Sequence, residues 1–171
     1  MKERDYIDAV VEEWDAQGTG RPIASVALLL RIMRIGGILE RELSTLCARY
    51  NLKPGQFQAL ATLRRAYPRT LTPSELNHGT LLTSGAMTPL IDRLEEKALV
   101  RRLADPDDRR GVRVELTRAG QKLIDEALDA RIERLAELAA QLGESEIVKS
   151  AAALRKIMLM LEGPTESTTH T

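Results

Sequence analysis

Residues 83–95, "TSGAMTPLIDRLE", begin with residues that make poor helix and end with residues that make good helix. Gly85 and Pro89 sit early in what otherwise reads as a helix. In a helix interior a glycine costs about 1 kcal/mol and a proline about 3. Keeping this front small and bare must therefore serve whatever approaches it. Met87, Leu90, Ile91, Leu94 and Ala98 recur at helical spacing and form the face expected to pack inward. The opposite face carries Gly85, Pro89, Asp92 and Glu96, with Ala86, Thr88 and Arg93 at its flanks. The same residues also allow 83–87 to be loop, with the helix starting at Thr88 and Pro89. A continuous helix should kink near Pro89.

Upstream, "TLTPSEL" (70–76) is a helix start. Thr72 can serve as N-cap, Pro73 fits the first helical position and Glu75 completes a capping box. Gly79 supplies a break after this short helix. Downstream, "LVRRLA" (99–104) and "VRVELT" (112–117) read as two strands joined by the turn-rich "DPDDRRG" (105–111). Two short helices followed by a hairpin with a basic tip are the order of a winged helix-turn-helix. In that motif the second helix enters the major groove of DNA with its N-terminal residues leading. Gly85, Ala86, Thr88 and Pro89 would let backbone and short hydroxyls approach bases and phosphates. Thr83 and Ser84 can divide capping and phosphate contact, and the helix N-terminus favours an anion. Thr72, Ser74 and Arg93 complete the expected contacts on the two helices. Arg109 and Arg110 are the wing candidates for a narrow minor groove, with Asp105, Asp107 or Asp108 able to brace one of them. The alternative for the loop is a solvated turn with local ion pairs.

The flanks are helical. A short helix over 5–17 ends at "QGTGRP", and a long one over 23–50 is apolar nearly all round between Val26 and Leu39, so burial on more than one side is expected. A helix over 54–67 turns Phe57, Leu60, Ala61 and Leu63 inward. Thr117 can cap a helix over 118–142 in which Leu128, Ile132, Leu135, Ala139 and Leu142 step by four and three. "GESE" interrupts it, and Ile147, Ala151, Leu154, Met158 and Leu161 repeat the same seam. The polar tail 163–171 reads as disordered.

The chain has 171 residues, a hydrophobic content of 43% and few aromatic residues, so its core must be largely aliphatic. Net charge is zero but unevenly spread. Residues 53–113 hold eleven Lys/Arg against seven Asp/Glu, an excess of four positive charges that the flanks balance. The N-terminus lacks the apolar core of a signal peptide, and "SVALLLRIMRIGGIL" (25–39) is interrupted by Arg31 and Arg34 and too short to span a bilayer. A cytoplasmic protein with no membrane partner is expected. One cysteine and two distant histidines indicate neither a disulfide framework nor a metal site. No nucleophile–base pair or phosphate loop is visible, so an enzyme is not expected, and no cofactor is implied.

The run "LTPSELNHGTLLTSGAMTPLIDRLEEKALVRRLADPDDRRGVRVELTRAG", above all "DRLEEKALV" and "DPDDRRGVRVELT..G", resembles the DNA-binding core of the MarR family of transcriptional regulators. With the flanking helices the resemblance covers about residues 23–162. It implies a mainly α winged helix-turn-helix with a small β wing, dimerised through interlocking N- and C-terminal helices. It also implies repression of nearby genes, relieved by a small molecule or by oxidation. The division expected is 1–52 for dimerisation and a possible ligand pocket, 53–117 for DNA, 118–162 for dimerisation and 163–171 as tail. The expected partners are double-stranded DNA, carrying a pseudo-palindromic site, and a second copy of the chain.

Within the family, the N-terminal helix with Trp14, "TSGAMT" and "LRR" at 63–65 resemble the branch that responds to urate and related anions. The resemblance implies a ligand pocket with Trp14 and Arg65. Gln58 stands where that branch has an acid, which weakens the case for urate itself and leaves a planar organic anion as the candidate. Trp14 can equally pack onto a dimer, and Arg65 can be a solvated or phosphate-facing charge. Cys47 offers a thiol-sensing alternative, but it shares a helical face with Leu43, Leu46 and Tyr50, which suits a small buried hydrophobe. A winged-helix module for protein association without DNA is the remaining alternative. Basic residues at the wing, with paired arginines at 101–102 and 109–110, argue for DNA.

Overall fold

The computed structural model describes residues 4–18, 20–78, 84–106, 108 and 111–163. The elements among them run α1 (Tyr6–Ala16), α2 (Ile23–Arg49), α3 (Pro54–Ala66), α4 (Pro73–His78), α5 (Ser84–Glu96), β1 (Val100–Ala104), β2 (Val112–Leu116), α6 (Arg118–Ala139) and α7 (Glu144–Glu162). This is a mainly helical chain with a two-stranded wing, as the residue patterns require. It divides into two compact units, Met1–Leu128 and Asp129–Thr171.

In the first unit the core is built around α3. Leu60 on that helix, Leu76 on α4, Ile91 and Leu94 on α5, Val100 and Val114 on the strands and Ile124 on α6 are all fully buried. Burying an aliphatic side chain of this size contributes about 1.5–3 kcal/mol. Ala61, expected to face inward, is only half-buried. Ala59 takes the inner place and is fully buried. The start of α4 is the expected capping box: Glu75 N–H donates to Thr72 Oγ1 at 3.1 Å and Thr72 N–H donates to Glu75 Oε2 at 2.8 Å.

Helix α5 is continuous from Ser84 through Pro89, which rules out the later start at Thr88. Met87, Ile91 and Leu94 are buried as the periodicity requires. Ala98 is not: it is exposed, at φ +54°, past the end of the helix. Its N–H donates to Glu95 O and the Leu99 N–H to Leu94 O, so Ala98 terminates α5 in the left-handed conformation usually given to glycine. The hairpin pairs Val100 with Leu116 and Ala104 with Val112, and Leu71 bridges Val114 on the far side of β2.

The "LT..G" sequence joins wing to α6 by three separate means. Leu116 is in the core. Thr117 Oγ1 donates to Ala98 O at 2.7 Å and accepts the Gly120 N–H at 3.0 Å, so one hydroxyl ties the end of α5 to the start of α6. A Cβ at Gly120 would lie 1.9 Å from Leu99 O, so only glycine allows this approach. At the wing, a Cβ on Gly111 would stand 2.8 Å from Asp105 Cβ, and the turn closes only without it.

Helix α1 is capped by Asp5, whose side chain accepts from the N–H groups of Ile7 and Asp8. Arg31 on α2 then clamps Asp5 at 2.7 Å and Asp8 at 2.6 Å. The apolar stretch of α2 is left largely uncovered by its own chain, with more apolar surface than one small winged domain could cover. Between Val26 and Leu39 only Ala27 is buried within the chain, while Leu28, Met33 and Ile35 are exposed, Met33 by 73%. In the second unit, α6 stops at Ala139 rather than at Leu142. There Ile132, Leu142, Ile147, Leu154, Met158 and Leu161 are exposed. Among the described residues no helix is long and apolar enough to cross a membrane. The glycine break at 79 and the tail beyond 163 lie outside the described residues.

Candidate nucleic-acid interface

The outer face of α5 presents Gly85, Ala86, Thr88, Pro89 and Arg93, all exposed, while its inner face is fixed on the core. A Cβ at Gly85 would meet nothing within 4 Å, and its φ is not in the left-handed region. Neither packing nor backbone conformation within the chain accounts for a glycine there. Arg93 makes no ion pair among the described residues. Together with Ala86, Pro89 and Leu90 it borders a cleft of about 260 Å³ shared with Lys53, Gly55 and Gln56 of the α3 start. Nothing in the sequence around Lys53 marks it as part of this surface. Only the packing of α3 against α5 brings it beside the exposed helix face.

On α4, Ser74 is exposed, whereas Thr72 is half-buried and its hydroxyl oxygen is engaged in the cap. Thr83, Arg109, Arg110 and Asp107 lie outside the described residues, and so does the expected bracing of a wing arginine by Asp107. Helix α5 begins at Ser84.

Other basic residues of the middle segment have structural partners. Arg102 bonds both Asp92 and Glu95 of α5, anchoring β1 to that helix. Arg101 pairs across the hairpin with Glu115. The arginines at 101–102, which in the sequence read as a mark of DNA binding, are thus engaged with carboxylates of the fold. Arg64 binds Asp125 of α6 at 2.7 Å. Arg113, to all appearance in the sequence a polar strand residue, is a hub. It donates to Thr70 Oγ1 at 2.8 Å, Thr70 O at 3.0 Å, Asp105 at 3.2 Å and Glu75 at 3.4 Å, joining the wing to the start of α4. The Thr72 backbone N–H, helped by Arg69 and Arg113, holds the Glu75 carboxyl below its ordinary range.

Of the three residues expected at a ligand, Arg65 borders a cleft whose described lining includes neither of the other two. Arg65 is exposed, donates to Thr62 Oγ1 at 3.1 Å and borders a shallow cleft with Ala66, Arg69, Leu71 and Glu75. Neither Trp14 nor Gln58 lines that cleft. Half-buried Trp14 instead carries the Arg21 guanidinium over its ring, 4.7 Å from the centroid. Gln58 is half-buried on α3.

Comparison with known proteins gives this geometry its context. The MarR family model matches residues 52–112, from the start of α3 into β2. The multiple antibiotic resistance protein MarR of Escherichia coli is 31% identical over 120 residues, covering 70% of this chain and 82% of that protein. The chain belongs to the MarR family. The HTH-type transcriptional regulator PecS of Dickeya dadantii is 25% identical over 152 residues, covering 88% of this chain and 92% of PecS. A mutant of Escherichia coli MarR solved in complex with operator DNA superposes with a TM-score of 0.68 at 28% identity, over 80% of this chain and 96% of that one. The MarR-family signature residues thus have separate physical duties here. Leu116, Thr117 and Gly120 lock the wing to α6, while Gly85, Ala86, Thr88, Pro89 and Arg93 remain exposed.

Proposed function

We propose that this MarR-family chain is a sequence-specific, ligand-responsive DNA-binding regulator acting as a homodimer, with α5 as the reading helix. The observation that carries the reading is the face of α5: its bare, exposed front has no use inside the chain, and glycine there removes bulk between the helix and whatever it meets. A solved relative bound to operator DNA supports the same reading. Gly85, Ala86, Thr88 and Pro89 set the close approach to the major groove. Arg93 and Lys53 supply charge beside it, and Ser74 a phosphate contact from α4. Arg109 and Arg110 act in the minor groove from the wing.

The dimer reading rests on uncovered apolar surface. Leu28, Met33 and Ile35 on α2, and Leu154, Met158 and Leu161 on α7, leave more greasy area exposed than a soluble single chain normally tolerates. Residues 1–52 and 118–162 accordingly associate, and 53–117 bind DNA. A two-fold dimer spaces its reading helices about 34 Å apart, one turn of duplex, so the operator is pseudo-palindromic. Regulation takes the form of repression relieved by a small organic anion. Oxidation of Cys47 is disfavoured because its side chain is fully buried, and thiol reactivity needs access.

The deciding experiment is fluorescence anisotropy of the protein with its own upstream intergenic DNA and a scrambled duplex, across a salt series. Selective binding that weakens with salt at about −0.9 per phosphate contact in the log–log slope is expected. No binding to either duplex at low salt would instead favour a protein-association module.

A further inference from the structure

Helix α5 offers the bases of a duplex a narrow chemical choice. From Ser84 to Glu96 it contains no Asn, Gln, His or Lys. In the major groove, bidentate reading of adenine takes an Asn or Gln, and reading of guanine an Arg or Lys. The exposed front of the helix has none of these. Ala86 presents a methyl, Thr88 a methyl with a hydroxyl, and Pro89 a ring of methylenes, with Gly85 bare beside them. Arg93, one turn beyond Pro89, is the first group on this face able to take a guanine.

Other polar groups near this face are taken up by the fold. Cytosine is read by a carboxylate that accepts from its amino group. Asp92 and Glu95 are both bound by Arg102, and Glu96 closes the helix at its far end. Across the cleft from Pro89 and Arg93, Gln56 is buried, and its Oε1 accepts the Lys53 N–H at 3.0 Å, so that amide serves the start of α3. What the front of α5 keeps for the groove is small and mostly apolar. One base edge in the major groove matches it, that of thymine, which carries the C5 methyl.

We infer that α5 reads thymine methyl groups and one guanine in each half-site. The methyls of Ala86 and Thr88 and the ring of Pro89 pack on thymine methyls of neighbouring base pairs, and bare Gly85 lets them come close. Arg93 donates to O6 and N7 of a guanine at the end of the half-site under the second half of the helix. The half-site is therefore rich in A·T pairs and closed by a G·C pair. This inference rests on the DNA-binding reading and names the base chemistry that reading uses.

The test is anisotropy of the full chain with its own upstream intergenic DNA in three forms: natural, with deoxyuridine for every thymidine, and with 7-deazaguanine for every guanine. The first analogue removes only the C5 methyl and the second only the N7 acceptor, so base pairing is kept. Each buried methyl is worth about fourfold in affinity, and loss of two or more on deoxyuridine should weaken binding by about tenfold or more. Equal binding of natural and deoxyuridine duplexes, with a scrambled duplex still rejected, would overturn thymine reading and leave the DNA reading standing. Thr88→Ser keeps the hydroxyl and drops the methyl. Its loss on deoxyuridine should be smaller than the parent's by about fourfold, whereas equal losses would assign the effect to the stiffness of the altered duplex and remove Thr88 from the readout. 7-Deazaguanine should weaken the parent by about tenfold and Arg93→Ala hardly at all, and equal sensitivity would take Arg93 off the guanine. Both side chains are exposed, so unchanged melting curves should verify that the variants fold, and the analogues test the parent without any substitution. If no duplex binds at low salt, the DNA reading fails and this inference falls with it.

Discussion

A single methyl group added at either of two glycines should have opposite effects. At Gly120 it meets the Leu99 carbonyl at 1.9 Å, so Gly120→Ala must push α6 off the end of α5. A loss of about 1–3 kcal/mol in thermal or denaturant unfolding is expected, as for overpacking generally. At Gly85 the same methyl meets open space on a helix, so Gly85→Ala should raise stability by about 0.5–1 kcal/mol. It should nevertheless weaken duplex binding, because the added methyl holds the helix away from the groove. A Gly85→Ala protein that binds DNA as tightly as the parent would remove the close-approach argument for α5. Glu75 adds a pH dependence. Its folded-state pKa is depressed from the ordinary 4.5, so its contribution is present above that value and disappears as pH falls through the lowered one. The melting temperature should therefore drop on acidification, and Glu75→Gln should flatten that drop. Equal acid sensitivity in both proteins would assign it to other carboxylates.

Between elements, the DNA-binding reading divides arginines of the middle segment into two classes with different signatures. Arg102 ties β1 to α5 through Asp92 and Glu95. Its replacement by alanine should cost about 1–2 kcal/mol of stability, discounted for partial exposure, with little change in the salt slope of DNA binding. Arg109→Ala/Arg110→Ala should do the reverse: near-normal melting, weaker binding, and a slope shallower by about 0.9 for each phosphate that is no longer neutralised. A salt series on both variants separates the classes. In the sequence all four arginines of 101–102 and 109–110 fall in one class, since charge and spacing do not reveal which carboxylates the fold brings near.

For the molecule as a whole, the exposed face of α2 is the strongest statement. Met33 is 73% exposed, so in a monomer Met33→Asp would change stability by no more than about 0.5 kcal/mol. In a dimer it places a charge in an apolar interface. Sedimentation equilibrium should then show the dimer dissociating at tenfold or more higher concentration, an increment of about 1.4 kcal/mol, with duplex binding reduced in step. An unaltered mass would move the association surface elsewhere.

Local chemistry determined a great deal here. Thr72, Pro73 and Glu75 specify a helix start by hydrogen bonds that span three residues. The alternation in "VRVEL" specifies a half-buried strand, and the spacing of Met87, Ile91 and Leu94 specifies which side of α5 is inner. These signals are legible because each depends on neighbours in sequence. The termination of α5 at Ala98 is not legible, because no glycine marks it and the conformation is held by Thr117, nineteen residues on. Nor is the hub at Arg113, whose partners at Thr70 and Glu75 lie 43 and 38 residues away. The long apolar run of α2 already signals more apolar surface than one winged domain can cover, but which of its side chains the chain itself buries, Ala27 alone between Val26 and Leu39, is decided only by the packing. Which side chain meets which across such distances is settled only when the core closes, because burial is a property of the packed whole and not of any segment in it.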